Sequence, residues 1–192
     1  MDFLSPMKWI ELLWAVFVLY WLISAFKRKR TKKRESILQR LLYMLPPIAA
    51  YFLVASSEFR FGWLAVRFVP EGSAIRWLGV AITAAGIGFA LWARWHLGSN
   101  WSGLVTLKEG HELIRTGPYR FIRHPIYTGV LIGVFGTLLE DGEMRSLIAL
   151  AMVWLSFDVK ARREESFLAQ EFGPGFAEHQ SHTGMFLPKL SS

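Results

Sequence analysis

The sequence predicts an all-α, polytopic transmembrane protein with about five membrane-spanning segments, the last two forming a helical hairpin. Three observations carry that expectation: five apolar runs separated by polar loops, a composition that is 53% hydrophobic and only 19% charged, and an uneven placement of the 22 lysines and arginines. Soluble chains average about 45–50% apolar and about 25% charged residues. The absence of cysteine excludes disulfides, thiolate metal sites, iron–sulfur clusters and a cysteine nucleophile. A disordered or collagen-like chain does not fit this apolar content. The net charge of +7 does not indicate a nucleic-acid partner, because the apolar runs leave little soluble mass to carry a basic face.

The run 9–26 holds 18 residues with Glu11 as its one charge, and the runs 41–57 and 77–93 hold 17 uncharged residues each. All three reach the length of about 17–25 residues that a spanning helix needs, and helices are expected over 9–26, 37–57 and 75–93. Basic residues follow the first run rather than precede it, and no small-residue cleavage site comes after it. It therefore reads as a permanent helix rather than a signal peptide. The runs 126–139 and 146–157 are shorter, 14 and 12 residues. They reach about 20 Å against a hydrocarbon core of about 30 Å. They flank a polar turn with Asp141-Gly142 at its centre, which makes 124–159 a hairpin that either spans with polar ends or re-enters. A cytoplasmic helix over 160–172 follows, with Phe167, Leu168 and Phe172 as its apolar stripe and a stop at Gly173-Pro174. The chain thus divides into N-terminal transmembrane helices, 1–93, and a second region, 94–192, holding the connector, the hairpin, the last helix and a tail.

Orientation follows from the loops. Seven basic residues lie in 27–34; with that loop cytoplasmic, so are 94–125 and 158–192, and 17 of the 22 basic residues fall on the inner side. The expected topology places the N-terminus outside and the C-terminus in the cytoplasm, the membrane being the inner or plasma membrane if the source is prokaryotic. Lys8, Arg60, Arg67, Arg76 and Arg145 fall outside. The stretch 58–73, with Phe59, Phe61, Trp63 and Phe68, is expected on the outer leaflet. Gly129, Gly133 and Gly136 make a close-packing face on the fourth segment, and Gly79, Gly86 and Gly88 serve similarly on the third.

Chemistry concentrates in 94–125. Thr116-Gly117-Pro118-Tyr119 is a turn signal, and Pro125 suits the first position of a helix. Arg123 and His124 are thereby held at a helix N-terminus, whose free N–H groups and dipole favour an anion. Taken alone the pair reads as a snorkelling arginine and an interfacial histidine; within this turn–basic–proline–aromatic string it reads as ligand-binding. His96 and His111 read first as interfacial or hydrogen-bonding histidines. Glu164 and Glu165 point about 100° apart on a helix, so at most one is expected to face inward. They are either a solvated face, with Lys160 pairing Glu164, or an acidic patch for a cation or sugar hydroxyls. The five histidines have no metal-ligand spacing, and phosphate-loop, dinucleotide and nucleophile-elbow motifs are absent.

Leu97-Gly98-Ser99-Asn100-Trp101-Ser102-Gly103, then Gly117-Pro118-Tyr119-Arg120-Phe121-Ile122-Arg123-His124-Pro125-Ile126-Tyr127-Thr128-Gly129, then Glu164-Glu165-Ser166-Phe167-Leu168 and Phe172-Gly173 together resemble the isoprenylcysteine carboxyl methyltransferase family. Phospholipid N-methyltransferases and sterol reductases carry similar segments. The resemblance implies an integral-membrane methyltransferase that uses S-adenosylmethionine (SAM) in a pocket formed by the C-terminal half at the cytoplasmic face. Its cofactor-binding positions would be Tyr119, Arg123, His124, Tyr127 and Glu164 or Glu165, with His111 and the Gly117-Pro118 turn shaping the pocket. The acceptor would be lipophilic, a prenylated molecule or a relative of one, entering from the bilayer among membrane lipids. Arg120, or Arg94, would orient an acceptor carboxylate. An amine acceptor would instead need a base, drawn from Glu164, Glu165 or His124. Rival readings are a phospholipid or small-amine N-methyltransferase, an NADPH-dependent reductase of sterol-reductase type, and a non-catalytic protein that keeps the fold. Phe176 and His179 stand where the family usually has tyrosines.

Overall fold

Apolar runs of this length fold as helices because an α-helix satisfies its interior N–H and C=O groups within one segment. The computed structural model describes residues 5–24, 31–34, 36–98, 101, 106–108 and 112–189. Their helices are α1 Pro6–Ser24, α2 Ile37–Ala55, α3 Ser73–Leu97, α4 Pro125–Asp141, α5 Met144–Phe172 and α6 Pro174–His182. Three of them, α1, α2 and α3, are long and apolar enough to cross a membrane, and the chain is an integral membrane protein. At 17 residues, α4 measures about 25 Å.

Each contact between helices has a local cause. A capping box formed by Ser36 and Gln39 starts α2, satisfying two N-terminal donors reciprocally. The helix then runs through Pro46-Pro47. Proline lacks the N–H that would reach the carbonyl four residues back. The Tyr43 carbonyl thereby freed by Pro47 accepts instead from the Ser156 hydroxyl of α5, along which α2 packs. Helix α3 lies along α4, and their backbones touch at glycines. A Cβ on Gly79 would sit 2.6 Å from the Gly136 carbonyl oxygen, and one on Gly129 would sit 2.6 Å from the Ala90 nitrogen. Gly88 does not share that seam: nothing lies within 4 Å of its Cβ position, because two residues turn an α-helix about 200° from Gly86.

Three further expectations need correction. The separate helices over 146–157 and 160–172 are a single 29-residue helix, because Lys160-Ala161-Arg162-Arg163-Glu164-Glu165 interrupts the hydropathy but consists of good helix formers. Gly173-Pro174 ends α5 and also begins α6, since glycine before proline serves equally as a helix start. The chain is not wholly α: Thr31–Arg34 and Thr106–Lys108 pair as an antiparallel ribbon. This pairing gives inter-helix backbone the partners that helices cannot supply. Residues 27–30 of the basic loop lie outside the described residues.

At the α4–α5 turn, Gly142 closes α4 with φ of 70°, and four arginines meet three acids. Arg76 pairs with Glu140, Arg60 reaches Glu143 at 2.6 Å, and the Arg67 guanidinium donates to the Asp141 carbonyl at 2.6 Å. Arg145 bridges Glu143 at 2.7 Å and Asp141 at 3.2 Å. It also donates to the carbonyl of Val54 at 2.7 Å, closing the C-terminal end of α2, where helical carbonyls lack intrahelical donors. Glu140 and Glu143 are only 2% and 1% exposed. The stretch 58–73 beside this turn forms two 3-10 turns, Ser57–Phe59 and Gly62–Ala65, and leaves Phe59, Phe61, Trp63 and Phe68 exposed.

Candidate functional site

The other end of the hairpin is built from a turn, a helix start and the far part of α5. The turn is Gly117–Arg120. Gly117 has φ of 57°, and a Cβ there would lie 2.7 Å from the His96 ring, so both backbone and space demand glycine. His96 shares a hydrogen bond with the Thr116 hydroxyl at 2.8 Å and stacks on Tyr119 at 6.4 Å. Pro118 and Tyr119 are buried, and Tyr119 belongs to an apolar cluster with Ala93, Trp101 and Ile126, against which Trp21 and Tyr127 pack.

Pro125 opens α4 with His124 as its N-cap, as its position in the sequence predicts. Arg123 Nε donates to Glu165 Oε1 at 2.7 Å. His124 Nε2 lies 3.2 Å from the same oxygen, and its Nδ1 lies 3.5 Å from Glu164 Oε2. Tyr127 donates its hydroxyl hydrogen to Glu164 at 2.7 Å, and the Gln180 amide donates to Glu165 at 3.1 Å. Both adjacent acids are therefore engaged, not one, because the imidazole stands between them and offers a nitrogen to each. The Tyr127 ring is sandwiched, 5.4 Å from His124 and 4.7 Å from Phe157.

Charge balance follows from that geometry. Burial disfavours the charged form of His124, but the hydrogen bonds and charges of Glu164 and Glu165 outweigh it, and its pKa is raised. Burial opposes ionisation of both acids too. His124 reverses this for each, joined by Lys160 and Tyr127 at Glu164 and by Arg123 at Glu165, so both pKa values are lowered. An imidazolium between two carboxylates results. Burial, and then the Glu164 charge, raise the Tyr119 pKa, which keeps that residue a neutral phenol.

The tail after α6 straps this site. The Arg123 and His124 amides donate to the carbonyls of Gly184 at 2.9 Å and Met185 at 3.1 Å, the Thr128 hydroxyl donates to the Phe186 carbonyl at 2.7 Å, and Arg123 Nη1 donates to the Thr183 carbonyl. The Arg123 and His124 amides thus have internal partners, and the carboxylate beside the Arg123 guanidinium is the chain's own. Of the other sequence-predicted residues, Arg120 is exposed and lies over the Phe121 ring at 5.7 Å, apart from the cluster. Buried Arg94 donates to the carbonyls of Gly98 and Ser24 and covers Trp101 at 4.4 Å. His111 lies outside the described residues. Sequence reasoning missed Gln180, Thr183, Phe157 and the strap 184–186. It paired Lys160 with Glu164 but not with Tyr43. Among the described residues no group of three or more His, Asp or Glu side chains gathers to hold a metal ion.

Residues 74–175 match the family model for phospholipid methyltransferases. The chain is 30% identical over 154 residues to a probable protein-S-isoprenylcysteine O-methyltransferase of Oryza sativa subsp. indica, covering 79% of this chain and 70% of that one. It is 35% identical over 98 residues to the cobalt-zinc-cadmium resistance protein CzcN of Cupriavidus metallidurans, covering 50% of this chain and 44% of the relative. The solved structure of a eukaryotic intramembrane Ras methyltransferase, isoprenylcysteine carboxyl methyltransferase, shares the fold with a TM-score of 0.53 at 24% identity, over 76% of this chain and 52% of that one. The chain thus spans about half the length of the resistance protein and of the solved methyltransferase. Those matches and the site geometry agree: the chain belongs to the phospholipid methyltransferase family, alongside the protein-S-isoprenylcysteine O-methyltransferases.

Proposed function

We propose that this chain is a membrane methyltransferase that moves a methyl group from S-adenosylmethionine to the carboxylate of a lipophilic acceptor of isoprenylcysteine type. The observation that carries the reading is the His124–Glu164–Glu165 cluster walled by Tyr119 and Tyr127. Its chemistry fits the cofactor part by part. Aromatic faces favour a sulfonium, carboxylate oxygens accept from ribose hydroxyls, and Arg123 Nη2, which donates to none of the described residues, suits an amino-acid carboxylate. Gly117 and Pro118 hold Tyr119 in place.

When bound, the cofactor supplies an electrophilic methyl group. Arg123 fixes Glu165, His124 spaces the two acids, and Tyr127 orients Glu164, so the polar wall is set before any ligand arrives. A carboxylate acceptor brings its own nucleophilic charge and needs no base, which leaves positioning and exclusion of water as the protein's task. An amine acceptor would need a proton acceptor near neutrality. The two acids have lowered pKa values, which suits neither of them to that role, and both ring nitrogens of His124 already face a carboxylate. The carboxylate reading is favoured over N-methylation for that reason. Arg120, on the exposed side of the turn, is assigned to guiding the acceptor's headgroup.

The same reading places five spanning segments, α1–α3 and the α4–α5 hairpin, with the N-terminus outside and the C-terminus cytoplasmic. That arrangement puts 17 of 22 basic residues on the inner side. The acceptor would reach the site from the bilayer, SAM from the cytosol. Calorimetric titration of the purified protein in detergent, with SAM and with NADPH, tests the proposal: SAM binds and NADPH does not. Heat with NADPH alone would overturn it in favour of a reductase.

A further inference from the structure

Helices α2 and α5 pack antiparallel: the Tyr43 carbonyl meets Ser156, and Ala50 clusters with Ala149 and Val153. Followed toward the start of α2, that pairing brings Gln39 to the far part of α5. There Gln39, Arg163, Ser166 and Phe167 line a cavity of about 310 Å³, within the range of about 300–1,000 Å³ that small ligands occupy. Gln39 stands two residues before the apolar run 41–57, about 3 Å along a helix, so the cavity opens at the level where a span meets lipid headgroups. An apolar track leads from it into the span. Leu42 and Leu45 are exposed on α2 at steps of three from Gln39, and Leu155 is exposed on α5, eight residues or about two turns before Arg163.

The cavity's polar groups are donors with no acid beside them. The Arg163 guanidinium only donates, and the Ser166 hydroxyl can donate. Gln39 accepts from the Ser36 amide through Oε1, which turns its Nε2 donors outward from the capping box. Neighbouring cations on α5 have other duties. Arg162 pairs with Asp158 at 2.7 Å, and Lys160 lies over the rings of Tyr43 and Tyr127 and acts on Glu164. Arg163 pairs with none of the described acids. A guanidinium fork flanked by two neutral donors matches the oxygens of a phosphate, and the exposed leucines below it match acyl chains. A zwitterionic headgroup would bring its own cation toward Arg163, whereas an anionic one does not. Anionic lipids also concentrate in the cytoplasmic leaflet, to which the topology proposed above assigns this end of α2.

We propose that this cavity on the α2–α5 seam binds an anionic phospholipid, with Arg163 taking the phosphate, Ser166 and Gln39 completing its shell, and the acyl chains following the leucines into the span. The lipid bridges α2 and α5 and is not a substrate, so the site stands whether or not the chain transfers methyl groups. The test uses the full chain purified in detergent. Binding of phosphatidylglycerol, and of phosphatidylcholine with the same acyl chains, is measured by native mass spectrometry and by the rise each gives in unfolding temperature. Wild type should retain phosphatidylglycerol in preference and be stabilised by it. Arg163→Gln should weaken that binding about tenfold, the size of one lost charged hydrogen bond, and leave phosphatidylcholine binding unchanged. Arg163→Lys, which keeps the charge without the fork, should recover part of the loss, and Arg162→Gln should match wild type. If Arg163→Gln fails to fold, Arg163→Lys and Ser166→Ala decide instead: each should bind phosphatidylglycerol more weakly than wild type. Equal retention of the two lipids by wild type, equal losses in Arg162→Gln and Arg163→Gln, or unchanged binding in the Arg163 variants would each overturn the site. Inorganic phosphate that stabilises wild type as much as phosphatidylglycerol does would assign the cavity to a soluble anion and overturn the lipid.

Discussion

The two ends of the α4–α5 hairpin carry buried charge for opposite purposes. At the turn, Arg60, Arg67, Arg76 and Arg145 meet Glu140, Asp141 and Glu143. All four cations are guanidiniums, which stay charged at any physiological pH, and no histidine belongs to the group. At the other end a histidine is shared by two carboxylates and its ring is stacked on a tyrosine. The first arrangement can only clamp. The second can change its protonation, exchange partners and present aromatic faces, which is what a ligand site requires. Burial alone therefore does not distinguish the two groups; the imidazole that only one of them holds does.

Breaking the clamp gives the largest expected effect. Arg145→Ala leaves Glu143 and Asp141 buried without their shared partner and uncaps α2. A loss of about 3–5 kcal/mol is expected in thermal unfolding of the detergent-solubilised protein, and SAM binding should fail only in proportion to unfolding. Gly129→Ala drives a methyl group into the α3 backbone and should cost about 1–3 kcal/mol in the same assay, whereas Gly88→Ala should cost nothing measurable.

Substitutions at the other end should separate affinity from folding. His124→Ala should weaken SAM binding by about tenfold, equivalent to about 1.4 kcal/mol, with a smaller fall in unfolding temperature than Arg145→Ala. A loss of fold equal to that of Arg145→Ala would erase the distinction between the ends. Glu165→Gln, which also releases Arg123, should lower SAM affinity, and normal binding by both Glu164→Gln and Glu165→Gln would leave the acids with a purely structural role.

The pH dependence sharpens the contrast. His124 has a raised pKa, so its stabilising contribution is complete below its ordinary value of about 6.5 and is lost as pH rises through the raised one. Glu164 and Glu165 have lowered values. Their contribution is present above about 4.3 and is lost as pH falls through the lowered values. Stability should plateau between those limits, and His124→Gln should remove the alkaline fall while leaving the arginine clamp untouched. Arg120→Ala, at an exposed position, should give the smallest effect: no change in SAM affinity and about a twofold rise in acceptor KM at most.

Much of this was legible from residues alone. Apolar run length located α1–α3, Pro125 located the start of α4, and the spacing of Gly129, Gly133 and Gly136 located the α3 seam. The string 117–127 and the pair Glu164-Glu165, forty residues apart, do meet. What escaped had no local signal. The strap from 183–186 bonds through backbone carbonyls, which every residue type possesses. Three of the four arginines at the α4–α5 turn reach residues more than sixty positions away, so no periodicity joins them. The continuity of α5 is legible but masked, because the good helix formers at 158–166 coincide with a break in hydropathy.

The strap also orders events in time. Residues 184–186 supply the carbonyls that fix Arg123, His124 and Thr128, yet a ribosome makes them after every helix they secure. A nascent chain already inserted through α5 still lacks these contacts, and synthesis at about 5–20 residues per second leaves an interval in which the cluster stands without its strap. Fixing of the Arg123–Thr128 backbone is thereby deferred until the chain has emerged past residue 186.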